Sequence, residues 1–492
     1  MRHTFIALMA LLAAGNLSAQ PETPIRIDIN AGKQIATVTK RFNGTNIEDL
    51  NNQTNGGMFS QLIHGEAFEE NIDVDFLNLE RKDYSKIYVV LDERRIPHLL
   101  NQSNVYSRIN WNNLGEKYDF NSNDIYSAGR YGAPENLSGW MFPGRFLVYD
   151  SLPENIQKIM MTRINGNEQV SKYWSKLTSG NPQYKYELIR DGKAYMGRQT
   201  QRISFAAGNG EVGITNHGLY RSGIMFENGK SYDGILRIKA DKPTTIYVSL
   251  RDENNNILAE KPYQLKGDGS YEKVVYELTP NGATINGSFG ISLKAPGTVD
   301  LGFAFLQPGT WGRIEGGWPI QTKFTDALKK QGITAFRYNG SMVDVGADTY
   351  LYRWKLMRGP IDERRITFRS GFNPYATHSF GFIEMLQAAE VINATAIIGM
   401  SMNGSYEDIR DFVEYVNGPI SSKWGALRAA DGHPQPYSLK YIQVDNERGI
   451  SRGYVECMKK FAKAAWEADP NMSIMTSLNI GGNGYKRGGT EQ

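Results

Sequence analysis

The sequence predicts an α/β protein interrupted by an all-β insertion. Residues 166–308 contain period-two runs such as "GILRIKA", "TTIYVSLRD", "EKVVYELT" and "GSFGISLKA", separated by the turns "KGDGS", "TPNG" and "APG". Such alternation with closely spaced turns is the pattern of an antiparallel β-sandwich. From 318 onward the texture changes to short apolar strands alternating with amphipathic helices, the pattern of a parallel sheet with helical crossovers. On this evidence alone the sheet is either a barrel or an open doubly wound sheet.

The first element is an export signal. Arg2 and His3 precede the apolar stretch 5–14, and small residues lead to Ser18-Ala19-Gln20, so residues 1–19 are expected to be removed. That stretch is too short to span a bilayer, and no later run is long and apolar enough. Within 25–70, "IRIDIN" and "FNGTNIEDL" read as strands, the second opening the barrel units, and 57–70 carries Met58, Leu62 and Phe68 at helical spacing. Residues 71–165 lack periodicity and read as an irregular elaboration with a few strands. Inside the β-rich region, Gly208-x-Gly210-x-x-Gly213 formally matches a dinucleotide fingerprint. That motif requires a strand before and a helix after, and strand and loop follow here.

In the segment 311–492, "IQTKFTDALKKQG" is a helix ending at Gly332, "ITAFRY" a strand, and Phe380, Ile383 and Leu386 mark the next helix. "ATAIIGMSM" is a strand, and Ile409, Phe412, Val413 and Val416 stripe a helix that opens with a capping box at Ser405 and Asp408. Asn417-Gly418-Pro419 ends it. "LKYIQV", a helix through Met458 and Phe461, and "NMSIMTSL" complete the alternation.

Composition excludes several function classes. Net charge is +3 with both signs interspersed, which gives neither a nucleic-acid nor a membrane-surface field. The single Cys457 allows no intrachain disulfide and no cysteine zinc site, and the six histidines show no HExxH spacing. No cofactor is expected.

Chemistry is expected at the carboxyl ends of the parallel strands, because helices cover the rest. Glu48 and Asp49, Arg337 and Asn339, Ser401 and Asn403, Asn446 and Glu447, and Asn479 stand at those ends. Each alone reads as a strand cap; together a carboxylate, amides and a guanidinium suit a polyhydroxylated ligand. Glycoside cleavage needs a proton donor and a second carboxylate, and Glu447 in a partly desolvated cleft fits the donor.

These residues resemble a known family. Asn446-Glu447 at a barrel strand end is the hallmark of the clan of retaining (β/α)8 glycosidases, and the chain is most similar to glycoside hydrolase family 51, the α-L-arabinofuranosidases. The matching segments are "FNGTNIEDLNNQTNGGMFSQLIHGEAFE", "ITAFRYNGSMVD", "YRWKLMRGPIDERR", "FVEYVNGP" and "WGALRAADGHPQPYSLKYIQVDNE", in family order over 41–70 and 311–480. The 166–308 segment is similar to the carbohydrate-binding sandwich that many members insert after the first barrel strand. The resemblance implies a partial (β/α)8 TIM barrel with an inserted antiparallel β-sandwich. It implies Glu447 as general acid/base, Asn446 on the sugar 2-hydroxyl, and Glu48, Arg337 and Asn339 as substrate contacts. Trp354 in "YRW" lines the cleft or is a core tryptophan.

Three departures stand out. The family's R-[FY]-P-G-G-[NC] reads Arg337-Tyr338-Asn339-Gly340-Ser341-Met342, and Asp445 replaces the glycine before Asn446. Five strands are countable, from "FNGTNIEDL" to "MSIMTSL", whereas the family's nucleophile is a glutamate at the seventh. The nucleophile is therefore expected to be missing from a C-terminally truncated chain, with weak or absent hydrolysis. The resulting expectation is an exported, secreted or periplasmic glycosidase that removes terminal α-L-arabinofuranosyl residues from plant polysaccharide by retaining exo-hydrolysis. The alternatives are a non-catalytic carbohydrate-binding protein, a structural surface protein, and an endo-acting β-glucanase of the same fold. The expected partner is an arabinose-containing polysaccharide or oligosaccharide, with no nucleic acid; oligomeric state is left open.

Overall fold

A computed structural model describes residues 41–48, 53–68, 87–91, 97–101, 169–338 apart from 172, 190, 192, 197 and 198, 354–364, 366–367, 376–400, 406–448 and 452–478, with isolated positions between 32 and 39. The expected signal at 1–19, the strand "IRIDIN", most of the 71–165 elaboration, and Asn339, Ser401, Asn403, Ser405 and Asn479 lie outside these residues. Contacts divide the chain into Met1–Phe42 and Asn43–Gln492. In the first unit a turn closes with Phe42 N–H donating to the Thr39 carbonyl at 3.1 Å.

The second unit begins with β1 (Gly44–Ile47), a π-helical turn (Thr54–Met58), and the hairpin strands β2 (Ile87–Leu91) and β3 (Pro97–Asn101). An antiparallel block follows: β4 (Trp174–Ile189), β5 (Thr200–Asn216), β6 (Ile224–Phe226), β7 (Tyr232–Lys239), β8 (Thr244–Arg251), β9 (Ile257–Leu265), β10 (Glu272–Leu278), β11 (Thr284–Leu293) and β12 (Gly297–Pro308). Then come α1 (Thr322–Lys330), β13 (Ala335–Tyr338), the small pair β14 (Ile366–Thr367) and β15 (Ala376–Thr377), α2 (Phe382–Ile392) and β16 (Thr395–Met400). The series ends with α3 (Tyr406–Asn417), α4 (Lys423–Ala430), β17 (Tyr441–Arg448), α5 (Arg452–Ala468) and β18 (Ser473–Leu478).

The parallel sheet has the order β1-β13-β16-β17-β18, which is chain order. A doubly wound sheet reverses its order at a switch point; this one does not, so it is of barrel type. Among the described residues, β1 and β18 each pair on one side only. Register places Ile47, Tyr338 and Ile398 side by side on one face. With Phe336, Met400, Ile442 and Val444 they are at most 5% exposed and pack in one core with Phe382, Leu386, Phe412 and Phe461 of the helices. The opposite face carries Asn46, Arg337 and Gln443, so strand alternation separates the apolar helix side from a polar inner side.

The insertion curls nearly closed, because β10 and β9, the ends of its strand order, come together. β5 serves both halves: Gln201–Leu301 lies in its pairing with β12, and Ile214–Ile291 in its pairing with β11, while β4 runs alongside throughout. It turns between the halves at Gly208 (φ 97°) and Gly210 (φ 112°), where a Cβ on Gly210 would collide with the Ser179 carbonyl. The first two glycines of the formal nucleotide fingerprint are thus the bend of a long hairpin, and Gly213 lies in the regular pairing of β5 with β11.

Of residues 57–70, expected as a helix, 57–68 are described and are different. Only Thr54–Met58 is a helical turn, and beyond it Leu62 N–H donates to the Leu306 carbonyl while Ala304 N–H donates to the Glu66 carbonyl, both at 2.8 Å. Those backbone groups are spent on β12, so no i→i−4 ladder forms, and Gly56 and Gly65 sit at φ 83° and 85°. A second tie joins the two halves. Asp362, with a side chain 1% exposed, receives Arg237 Nη2 at 2.6 Å and Lys273 Nζ at 3.0 Å.

Candidate active site

The polar inner face converges on one guanidinium. Arg337 on β13 donates from Nε to Gln443 Oε1 at 2.6 Å, from Nη1 to Asn46 Oδ1 at 2.8 Å, and from Nη2 to Asn446 Oδ1 at 2.8 Å. Asn46 Nδ2 passes the network on to Glu48 Oε1 at 2.7 Å, and Glu48 also lies 3.5 Å from Arg337 Nη1. Glu48 N–H donates to Gln53 Oε1 at 2.9 Å, which fixes the chain where it leaves β1. The planar fork of arginine suits this task, since its N–H vectors fix three side-chain oxygens in one plane.

The partners come from β1 and β17, on either side of β13 and β16. Asn46 is in direct register with Arg337. On β16 the residue level with Gln443 is Gly399, which places no side chain beside that amide. Gln443 and Asn446 are 4% and 6% exposed, whereas the Arg337 and Glu48 side chains keep 21% and 15%. The cluster is therefore rigid below and open above.

The strand tip itself is irregular. Val444 pairs with Thr476 but Arg448 pairs with Leu478, so β17 spends four steps where β18 spends two. In a regular strand Gln443 and Asn446, three apart, would face opposite sides. Both meet Arg337, so the bulge turns Asn446 onto the inner face. Glu447 lies within this bulge; its side chain and that of Asp445 are outside the described set.

Of the expected residues, Glu48, Arg337 and Asn446 are brought together, and Asn339 lies outside the described residues. Trp354 is not in the cluster. It is 1% exposed, donates from Nε1 to the Asp408 carbonyl at 3.2 Å, and packs against Phe412, Tyr415 and Trp424 at 5.4, 5.3 and 5.0 Å. It is the core tryptophan of the two readings, because no ring face is left for a ligand. Asn46 and Gln443 were missed by sequence reasoning. A glutamine inside the apolar run "YIQV", and an asparagine two residues before Glu48, were the available signals. Among the described residues no group of three or more His, Cys, Asp or Glu could hold a metal ion. One guanidinium, one carboxylate and three amides form a mixed donor–acceptor surface suited to vicinal hydroxyls.

Comparison with known proteins shows what this chain is similar to. Residues 327–489 match the alpha-L-arabinofuranosidase 1 domain. The chain is 25% identical over 336 residues to the extracellular exo-alpha-L-arabinofuranosidase of Streptomyces chartreusis, covering 62% of this chain and 40% of that protein. It is 26% identical over 307 residues to a probable alpha-L-arabinofuranosidase A of Aspergillus oryzae, covering 55% and 47% of the two chains. The chain thus spans less than half the length of these curated relatives. In fold it is similar to a solved arabinose-bound family 51 α-L-arabinofuranosidase, with TM-score 0.61 and 17% identity over 91% of this chain and 60% of that one. Barrel-type sheet, inserted β-block and domain match agree: the chain is similar to alpha-L-arabinofuranosidases, matching the alpha-L-arabinofuranosidase 1 domain over residues 327–489, and shares the fold of the solved family 51 protein.

Proposed function

We propose that the protein is an exported retaining glycosidase that removes terminal α-L-arabinofuranosyl residues from plant polysaccharide. The observation that carries this reading is the Arg337 fork, which fixes the Asn446 carbonyl oxygen at the bulged end of β17. With that oxygen committed, the amide nitrogen is the group offered to the sugar 2-hydroxyl, a contact that strengthens as the ring approaches an oxocarbenium ion. Glu48 and Arg337, with Asn339, hold the remaining hydroxyls of the glycone.

Glu447, next along the chain, donates its proton to the glycosidic oxygen as the C–O bond breaks and the aglycone leaves as an alcohol. A carboxylate on the opposite ring face takes the anomeric carbon, and Glu447 then deprotonates the water that releases the sugar with retention. The reading assigns named residues to the acid/base half of this reaction only. Export is supported by the basic and apolar N-terminal pattern, and the Streptomyces relative is described as extracellular. The antiparallel insertion is read as the carbohydrate-binding part of the protein.

The test is hydrolysis of an aryl α-L-arabinofuranoside by the protein and by Glu447→Ala, with a loss of about 10²–10⁴-fold expected. Equal nonzero rates would overturn the acid/base assignment. Where turnover is below detection, L-arabinose binding is followed by NMR titration: it is expected to survive Glu447→Gln and to vanish in Arg337→Ala. Binding that survives Arg337→Ala would remove the cluster from the site.

A further inference from the structure

A cavity of about 570 Å³, apart from the Arg337 cluster, lies in the seam between the π-helical turn, β6, the end of β12 and the start of α1. That volume is within the range of about 300–1,000 Å³ usual for ligand sites. We propose that it is a second saccharide-binding site, taking a neutral polyhydroxylated chain, with Asn55 and Thr322 as hydrogen-bonding groups and Tyr220 as a platform at its rim. The proposal rests on the preceding reading for its class of ligand and for the insertion's part in carbohydrate binding, and not on the Arg337 cluster.

Unsatisfied polar groups are the first argument. Asn55 is 8% exposed and lines the cavity, yet its Nδ2 has no hydrogen-bond partner; Thr322 Oγ1, also in the lining, has none. Buried polar atoms are normally paired, because leaving one unpaired forfeits its hydration. Neighbouring amides differ: Gln61 is committed to Ala304 and Leu306, and Gln321 to the Phe59 carbonyl. Asn55 Nδ2 and Thr322 Oγ1 are therefore the polar atoms of this lining whose hydrogen-bonding capacity is unspent.

Charge then narrows the class. Lys323 and Asp326, both on α1, line the cavity together with Glu227. Thr322 begins α1, and a helix start alone favours anions; two carboxylates here oppose one. A neutral ligand with both donors and acceptors fits.

The rim supplies ring faces. Trp311 lines the cavity, with its indole N–H spent on the Ser231 carbonyl at 2.7 Å. Tyr220 is 71% exposed and its ring lies 6.1 Å from that of His64, which also lines the cavity. Tyr220 and Arg221 both adopt left-handed backbone, φ 54° and 58°, a conformation that costs non-glycine residues energy. That loop holds an aromatic ring in solvent beside a polar cavity. Apolar ring faces next to scattered donors and acceptors match the C–H faces and hydroxyls of a sugar chain.

The position links this cavity to the Arg337 cluster without merging them. Helices in a βα repeat start at the end where strands finish, so the first turn of α1 and the cluster share one end of the sheet. Gln53, which holds Glu48, directly precedes the helical turn that carries Asn55.

Calorimetry on the full chain with arabinotetraose, and with tetragalacturonate as the anionic counterpart, tests the proposal. Arabinotetraose binding is expected to persist in Arg337→Ala and to weaken about fivefold to tenfold in Tyr220→Ala and in Asn55→Ala. Tyr220 is exposed, so its variant keeps the test valid if Asn55→Ala does not fold. Binding abolished by Arg337→Ala and untouched by Tyr220→Ala would place all affinity at the strand ends, overturning the second site and leaving the proposed function standing. Preference for tetragalacturonate, or no binding of either oligosaccharide, would overturn it as well.

Discussion

Two arginines, one in each half of the molecule, use the same fork for opposite ends. In the insertion, Arg251 donates from Nη2 to Glu211 Oε1 at 2.5 Å and from Nε to Ser249 Oγ at 2.9 Å, while Ser292 donates to the same glutamate at 2.6 Å. Arg251 and Glu211 are 3% and 7% exposed, sealed among antiparallel strands. In the parallel sheet, Arg337 gathers its partners from β1 and β17, and its side chain keeps 21% of its surface. A closed network stabilises or specifies a fold; an open one at strand ends can present its partners to a ligand. Access separates the two, since the hydrogen-bond chemistry is alike.

The comparison can be broken by truncating each arginine in turn. Arg251→Ala strands a buried carboxylate and is expected to cost about 3–5 kcal/mol in urea unfolding. Arg337→Ala leaves neutral amides and a carboxylate that already has solvent access, so about 1–2 kcal/mol is expected, alongside loss of arabinose binding. If Arg337→Ala proves the more destabilising and leaves binding intact, the two networks have been assigned the wrong way round.

How far this division was legible in the sequence follows from the length scale of each interaction. Strand–helix alternation and period-two runs are local, so a parallel sheet with helical crossovers and the β-rich insertion could be read directly, while barrel rather than doubly wound order came only from the family resemblance. Glu48, Arg337 and Asn446 could be placed at strand ends for the same reason. Their assembly could not, because Arg337 meets Asn46 across 291 residues and Gln443 across 106. The bulge that re-aims Asn446 was also invisible, since it depends on which residues of β18 pair with β17. Local periodicity misled at 57–70, where apolar spacing suggested a helix and hydrogen bonding to β12 prevailed. Trp354 was undecided for a similar reason: burial depends on α3 and α4 folding over it.

Buried phenols offer a finer test of the two halves. Burial pushes the Tyr271 phenol up to about 12 from its ordinary 10.0, and its hydroxyl lies 2.9 Å from Thr200 Oγ1. In the parallel half, burial also raises Tyr415 and Tyr437. Below pH 10 the folded and unfolded chains both hold these protons. As pH rises further the unfolded chain releases them first, so stability falls between about pH 10 and pH 12. Allowing for partial exposure, Tyr271 accounts for roughly 1–2 kcal/mol of that fall. Tyr271→Phe is expected to lose about 1 kcal/mol at neutral pH with the Thr200 contact, and to show a shallower alkaline decline in urea midpoint. The phenols of the parallel half should sustain the remaining slope. An unchanged slope would mean that Tyr271 ionises freely in the folded protein, and the insertion's interior would then be more open to solvent there than its packing implies.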